Sequence, residues 1–113
     1  MKIRVIVINP ELRTIEEKMV ECNLKNHYTL LNCRRVDYVL LNSLLKHDSV
    51  LYIDDVGRLK ENYYFSVDGV TVPGCSMILG SFKSEMDEST IMTVEEVAQL
   101  VSWHGKHIAG YEM

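Results

Sequence analysis

A small α+β domain, a mainly antiparallel sheet packed with two helices, is predicted from three observations. Short β-branched and aromatic runs recur along the chain. Turn residues separate those runs. Two Thr-x-x-Glu capping boxes each open an apolar stretch at helical spacing. A length of 113 residues suits a single core. With 47% hydrophobic and 25% charged residues, disordered and fibrous classes are excluded. No apolar run approaches the roughly 18–20 residues of a membrane-spanning helix, so no membrane partner is expected.

The first element is a strand over Lys2 to Ile8, stopped by Asn9-Pro10. Both of its parities are apolar, which predicts a strand covered on both faces. Arg4 interrupts the run and no small-residue cleavage site follows, so a strand is the better reading than a signal peptide. Thr14 and Glu17 then form a capping box. Ile15, Met19, Val20 and Leu24 follow at helical spacing, which predicts a helix over Ile15 to Leu24.

The middle of the chain is extended. His27 to Cys33 and Val36 to Asn42 read as strands, with Leu40 to Lys46 open to a helical turn instead. Val50 to Asp54 is a strand, and Asp54-Asp55-Val56-Gly57 is a turn expected to close a bulged hairpin with Gly57 in the left-handed region. Asn62 to Val67 returns, Asp68-Gly69 turns, and Pro73-Gly74 breaks the chain. Cys75 to Phe82 is the last predicted strand, with Gly80 marking a bulge or a close backbone approach. After the acidic segment Ser84 to Ser89, Thr93 and Glu96 cap a helix from Val94 to about Trp103. Val94, Val97, Ala98 and Val101 face the core, and Gly105 ends the helix. The expected organisation is one domain over residues 1–105 and a loose tail over 106–113.

Charge narrows the function classes. Twelve basic and sixteen acidic residues leave a net charge of −4, which argues against nucleic-acid binding through the phosphate backbone. Up to Lys60 there are ten basic and eight acidic residues, and from Glu61 on two and eight. Such a bipolar surface favours self-association or docking on a charged partner. Two-faced strands that leave an edge to cover point the same way, to a homo-oligomer.

The stretch from Ser49 on, Val50-Leu51-Tyr52-Ile53-Asp54-Asp55-Val56-Gly57-Arg58-Leu59-Lys60-Glu61-Asn62, then Phe65, Gly69, Gly74, Ile78-Leu79-Gly80 and Thr93 to Val97, resembles an uncharacterised family of small proteins found mostly in phage, prophage and plasmid genomes. The resemblance covers roughly residues 49–103, and the chain departs from the pattern around Asn23 to Lys46. Its motif residues belong to turns and core, so it implies a fold, a mobile-element origin and the cytoplasm of a bacterial host. It implies no particular activity.

Three groups of residues are candidates for function. Arg34, Arg35, Arg58 and Lys60 are the densest cations, and Tyr52, Tyr63 and Tyr64 supply planar faces. Arginine beside tyrosine suits the grip on a protein hot spot or on a nucleotide's phosphate and base. Adjacent strand residues point to opposite faces, so one of Tyr63 and Tyr64 is expected inside and the other outside. Cys33, followed directly by Arg34 and Arg35, is the candidate for a reactive thiol, and Asp54 with Asp55 for paired carboxylates. Against an enzyme stand the lack of a phosphate loop, a nucleophile elbow or a zinc-protease motif, and the fit of Asp-Asp-x-Gly to a turn. The histidines, His104 and His107 among them, do not assemble the three or four ligands of zinc. No cofactor or metal is expected.

The resulting expectation is a non-enzymatic phage or mobile-element accessory protein acting by stoichiometric binding. A counter-defence role fits, by docking on a host defence protein or by sequestering a nucleotide signal. The alternative is a small enzyme acting on a nucleotide or protein through Cys33 or Asp54/Asp55.

Overall fold

A computed structural model describes residues 2–21, 31, 36–55, 57, 62–80 and 88–107. The elements are β1 (Lys2–Asn9), β2 (Thr14–Glu21), β3 (Val36–Val39), α1 (Asn42–Leu45), β4 (Val50–Asp54), β5 (Asn62–Val67), β6 (Val70–Pro73), β7 (Ser76–Leu79), α2 (Val94–Leu100) and β8 (Ser102–His107). They form a five-stranded sheet in the order β2-β1-β7-β4-β3 and a three-stranded sheet in the order β6-β5-β8. Every pairing is antiparallel. The α+β class read from the sequence is the class observed.

The core lies between the sheets. Ile6 and Ile8 of β1, Leu51 of β4 and Ile78 of β7 meet Phe65, Val67 and Val72 of the smaller sheet. Leu44, Met92 and Val97 close this cluster from the helical side. Phe65 is fully buried and takes the edge of Trp103 at 6.5 Å between centroids. A side chain of that kind contributes about 1.5–3 kcal/mol by burial alone. On its other face the large sheet carries Ile3, Val5, Val7, Met77 and Leu79, packed with Leu31. β1 is therefore apolar on both parities because both faces are covered, as its sequence indicates.

Four local expectations are corrected. Residues 14–21 are a strand, not a helix, paired along their length with β1 from Lys2↔Glu21 to Asn9↔Thr14. The spacing of four between Ile15 and Met19 is satisfied equally by one face of a strand and by one stripe of a helix. The β1–β2 turn starts where the Asn9 side chain accepts the N–H groups of Glu11 and Leu12 at 3.0 and 3.2 Å. It closes on Arg13 at φ 55°. The predicted segment beyond Glu21, with its Leu24, lies outside the described residues.

Secondly, Asp54 to Gly57 does not close a hairpin. β4 and β5 belong to different sheets, so this stretch carries the chain from one layer to the other. Gly57 does not adopt a positive φ. It is needed because a Cβ there would lie 2.8 Å from the Pro73 ring. The predicted turn at Asp68-Gly69 does form, with φ of 54° and 77°, the values of a two-residue hairpin loop.

Thirdly, α2 stops at Leu100 and Gly105 does not terminate it. Val101 turns extended at ψ 132°, and Ser102–His107 runs as β8 along β5. Fourthly, Lys106 and His107 are strand residues rather than the start of a tail. Residues 108–113 lie outside the described part, as does most of the predicted strand His27 to Cys33.

Candidate functional site

Residues in and next to the two short helices border a common cleft. α1 begins after Leu41, and Leu41 and Leu44 anchor it in the core. It has no capping side chain of its own. Instead the Asp68 carboxylate, reaching from the β5–β6 turn, accepts the Ser43 backbone N–H at 2.9 Å and the Ser43 hydroxyl. A helix start leaves N–H groups without intrahelical partners, and a carboxylate there is doubly favoured by hydrogen bonding and by the helix dipole. These two bonds hold the Asp68 carboxyl below the ordinary aspartate range, with Lys46 adding to the effect.

α2 caps itself. The Thr93 hydroxyl accepts the Glu96 N–H at 3.1 Å, and the Glu96 carboxylate accepts the Thr93 N–H at 2.9 Å. That backbone donor holds the Glu96 carboxyl below its usual value. Of the two predicted capping boxes, the Thr93–Glu96 one is observed. The cleft has a volume of about 230 Å3. Met92 and Leu100 give it an apolar wall, and Ser43, Lys46, His47, Glu96 and Gln99 give it polar ones. His47 Nε2 stands 3.8 Å from a Glu96 oxygen across it.

The cleft is fixed to the large sheet by residues 88–92. Thr90 N–H donates to the Arg4 carbonyl at 3.0 Å, and Arg4 donates back from its guanidinium to the Thr90 carbonyl at 2.9 Å. The buried Ser49 and Thr90 hydroxyls bond at 2.8 Å, and Thr90 Oγ1 also accepts the Met92 N–H at 3.1 Å. Gly80 permits this approach, since a Cβ there would come within 2.6 Å of the Ser89 carbonyl oxygen. The close approach expected at Gly80 is therefore present.

Of the residues singled out from sequence, the described tyrosines Tyr52 and Tyr64 do not share a face. Tyr52 packs with the outer cluster of the large sheet, on the face turned away from the small one. Tyr64 is 4% exposed, and its neighbours Phe65 and Val67 fill the core, so it faces away from the large sheet. Tyr52 and Tyr64 therefore belong to opposite outer faces. Tyr63 is half-buried under the Lys106 ammonium, 5.7 Å from its ring centroid. Asp54 is buried in β4 while Asp55 is exposed in the following turn. Arg34, Arg35, Arg58, Lys60 and Cys33 lie outside the described residues. His104 bonds the Ser66 hydroxyl at 2.9 Å, and both His104 and His107 sit on a strand rather than on a helix. The Cys75 thiol is pushed up by burial, with Glu11 adding to it, which disfavours the reactive thiolate.

Sequence reasoning missed the cleft. The Thr93–Glu96 signal was legible, but nothing local to Asp68 or Ser43 announces that a turn will cap a helix 25 residues away. No family model, no curated protein and no solved structure matches the chain.

Proposed function

We propose that this chain is a non-catalytic accessory protein of a phage or mobile element that acts by stoichiometric binding, with a host defence protein as partner. The observation that carries the reading is the α1–α2 cleft. Its volume of about 230 Å3 falls below the roughly 300–1,000 Å3 typical of small-molecule sites and suits one anchoring side chain of a protein partner. Leu100, lying over the buried Met92, would meet the apolar stem of that anchor, and Gln99 and Lys46 its polar end. The acidic groups around the cleft are occupied in building it. Asp68 holds α1, and Glu96 holds the first turn of α2. A catalytic acid or base is instead kept available to its substrate.

The test is co-expression with bacterial defence systems, read as phage plating efficiency, followed by titration of the purified partner. The expected result is saturation at a fixed stoichiometry, with affinity falling at least about tenfold when Lys46→Glu and Gln99→Lys are combined on the exposed rim. Undiminished binding by that variant would remove the cleft from the account.

A second reading is favoured by Lys46 and His47, which stand together on one wall and can face a phosphate when His47 is protonated. It assigns the cleft to a nucleotide signal. Calorimetry with cyclic dinucleotides and ADP-ribose separates the two. Product analysis in the same mixtures tests the enzymatic alternative, and Cys33→Ser tests its thiol version.

A further inference from the structure

β2 is an eight-residue edge strand. Among the described residues, β1 is the only strand hydrogen-bonded to it. Helix α2 packs over the face of β2 that carries Ile15, leaving the outer backbone ladder beside no other described strand. Long edges of this kind template the addition of another strand, and they are commonly blunted by charge. The charges on β2, Glu16, Glu17, Lys18 and Glu21, admit either role, and their order decides between them.

When two copies of one strand join edge to edge around a two-fold axis normal to the sheet, each residue keeps its face, so the register must centre on a single residue. Centring on Lys18 opposes two ammonium groups and sets Glu16 against Val20 and Ile15 against Glu21. Centring on Met19 opposes Glu17 and Glu21 twice. Centring on Glu16 places Ile15 against Glu17. Centring on Glu17 differs from all of these. It opposes Glu16 with Lys18 twice, Ile15 with Met19 twice and Thr14 with Val20 twice. Opposite charges and apolar pairs directly across a ladder are favourable, and like charges are not.

The one like-charged pair in that register is already neutralised, since each Glu17 is bound by Arg4 of its own chain at 2.6 Å. Glu16 and Lys18, 4.0 Å apart on the opposite face, would close with their symmetry mates into a four-charge array. Met19 is 57% exposed, and Ile15 is only partly covered at the rim of the inter-sheet core. Their pairing would extend that core from one protomer into the next.

We propose that the protein binds a second copy of itself by antiparallel addition of β2 to β2, in the register centred on Glu17, giving one continuous ten-stranded sheet. A ladder of this length makes a small interface, so association in the micromolar range is expected.

Sedimentation equilibrium of the full chain up to about 100 μM, with Glu16→Lys, Lys18→Glu and the double reversal, tests this. Each single reversal sets like charges across both symmetric positions and is expected to weaken dimerisation at least about tenfold, while the double reversal restores it to within about threefold of the parent. Thermal unfolding of each variant verifies that the fold is kept. Carbodiimide coupling in an equal mixture of 14N- and 15N-labelled protein is expected to join Glu16 of one chain to Lys18 of the other. A monomer at the top concentration, a dimer indifferent to either reversal, or mixed-label cross-links confined to other positions would each overturn the proposal.

Discussion

Gly80→Ala tests the tie between the large sheet and the helical cleft. The added Cβ would meet the Ser89 carbonyl oxygen at 2.6 Å and its carbonyl carbon at 3.3 Å, with the Asp48 carbonyl oxygen at 3.5 Å. These are all main-chain atoms, so no side-chain rotation relieves the clash. Relief requires residues 88–90 to move away from β7, which stretches the bond from Gly80 N–H to the Glu88 carbonyl, now 2.8 Å. Overpacking of this kind costs about 1–3 kcal/mol, and a weakened hydrogen bond about 0.5–1.5 kcal/mol. The expected loss is therefore about 2–4 kcal/mol. With a urea slope of about 2 kcal/mol/M for a domain of this size, the midpoint falls by roughly 1–2 M. Gly105→Ala is the control. It has open space around it and no positive φ, so it is expected to stay within about 0.5 kcal/mol of the parent. A midpoint shift for Gly80→Ala below about 0.3 M would refute the close approach. Equal losses at both glycines would refute the placement of Gly105 in β8.

Other perturbations address other parts of the molecule. Asp68→Asn is expected to cost about 1 kcal/mol at neutral pH, the usual worth of a helix-start acceptor, measured by urea unfolding. Because the folded-state carboxyl of Asp68 titrates below its ordinary 3.8, this advantage is full above that pH and disappears as the pH falls through the lower folded value. Acid titrations of parent and variant should therefore converge at low pH, and a gap that widens there would contradict the capping role. Phe65→Ala is expected to lose about 3–5 kcal/mol by leaving a cavity between the sheets, whereas Tyr63→Ala, half-buried under Lys106, loses under half as much. Cys75 is expected to react with iodoacetamide more slowly than a free cysteine at neutral pH, since burial raises its pKa. Mass-spectrometric peptide mapping against time measures this directly.

What was legible in the sequence follows a physical division. β1, β4, β5, the Asp68-Gly69 turn, the Thr93 cap and the close approach at Gly80 all carry local signals, whether β-branched runs, a turn dipeptide or a reciprocal cap. In β2, Thr14, Ile15, Glu17 and Met19 satisfy helical and strand periodicities alike, and only pairing with β1 decides the matter. β8 was hidden for a similar reason. Val101 and Trp103 continue the apolar stripe of α2, yet both pack on the inter-sheet core, Trp103 against Phe65 in another strand. The cleft was least legible of all, because it forms where a β-turn carboxylate meets a helix start and where Arg4 meets Thr90, 86 positions apart. Tyr52 and Tyr64 fall on opposite outer faces, since alternation fixes a face within a strand but not which sheet the strand joins.

The account depends on the cleft being a place of recognition and not of reaction. Product analysis by chromatography, run alongside calorimetric titration of the same purified protein with the partner and the nucleotide panel, tests that most directly. The account predicts heat that saturates at a fixed ratio of ligand to protein, with every ligand recovered intact. Recovery of an altered compound in many-fold excess over the protein would contradict it.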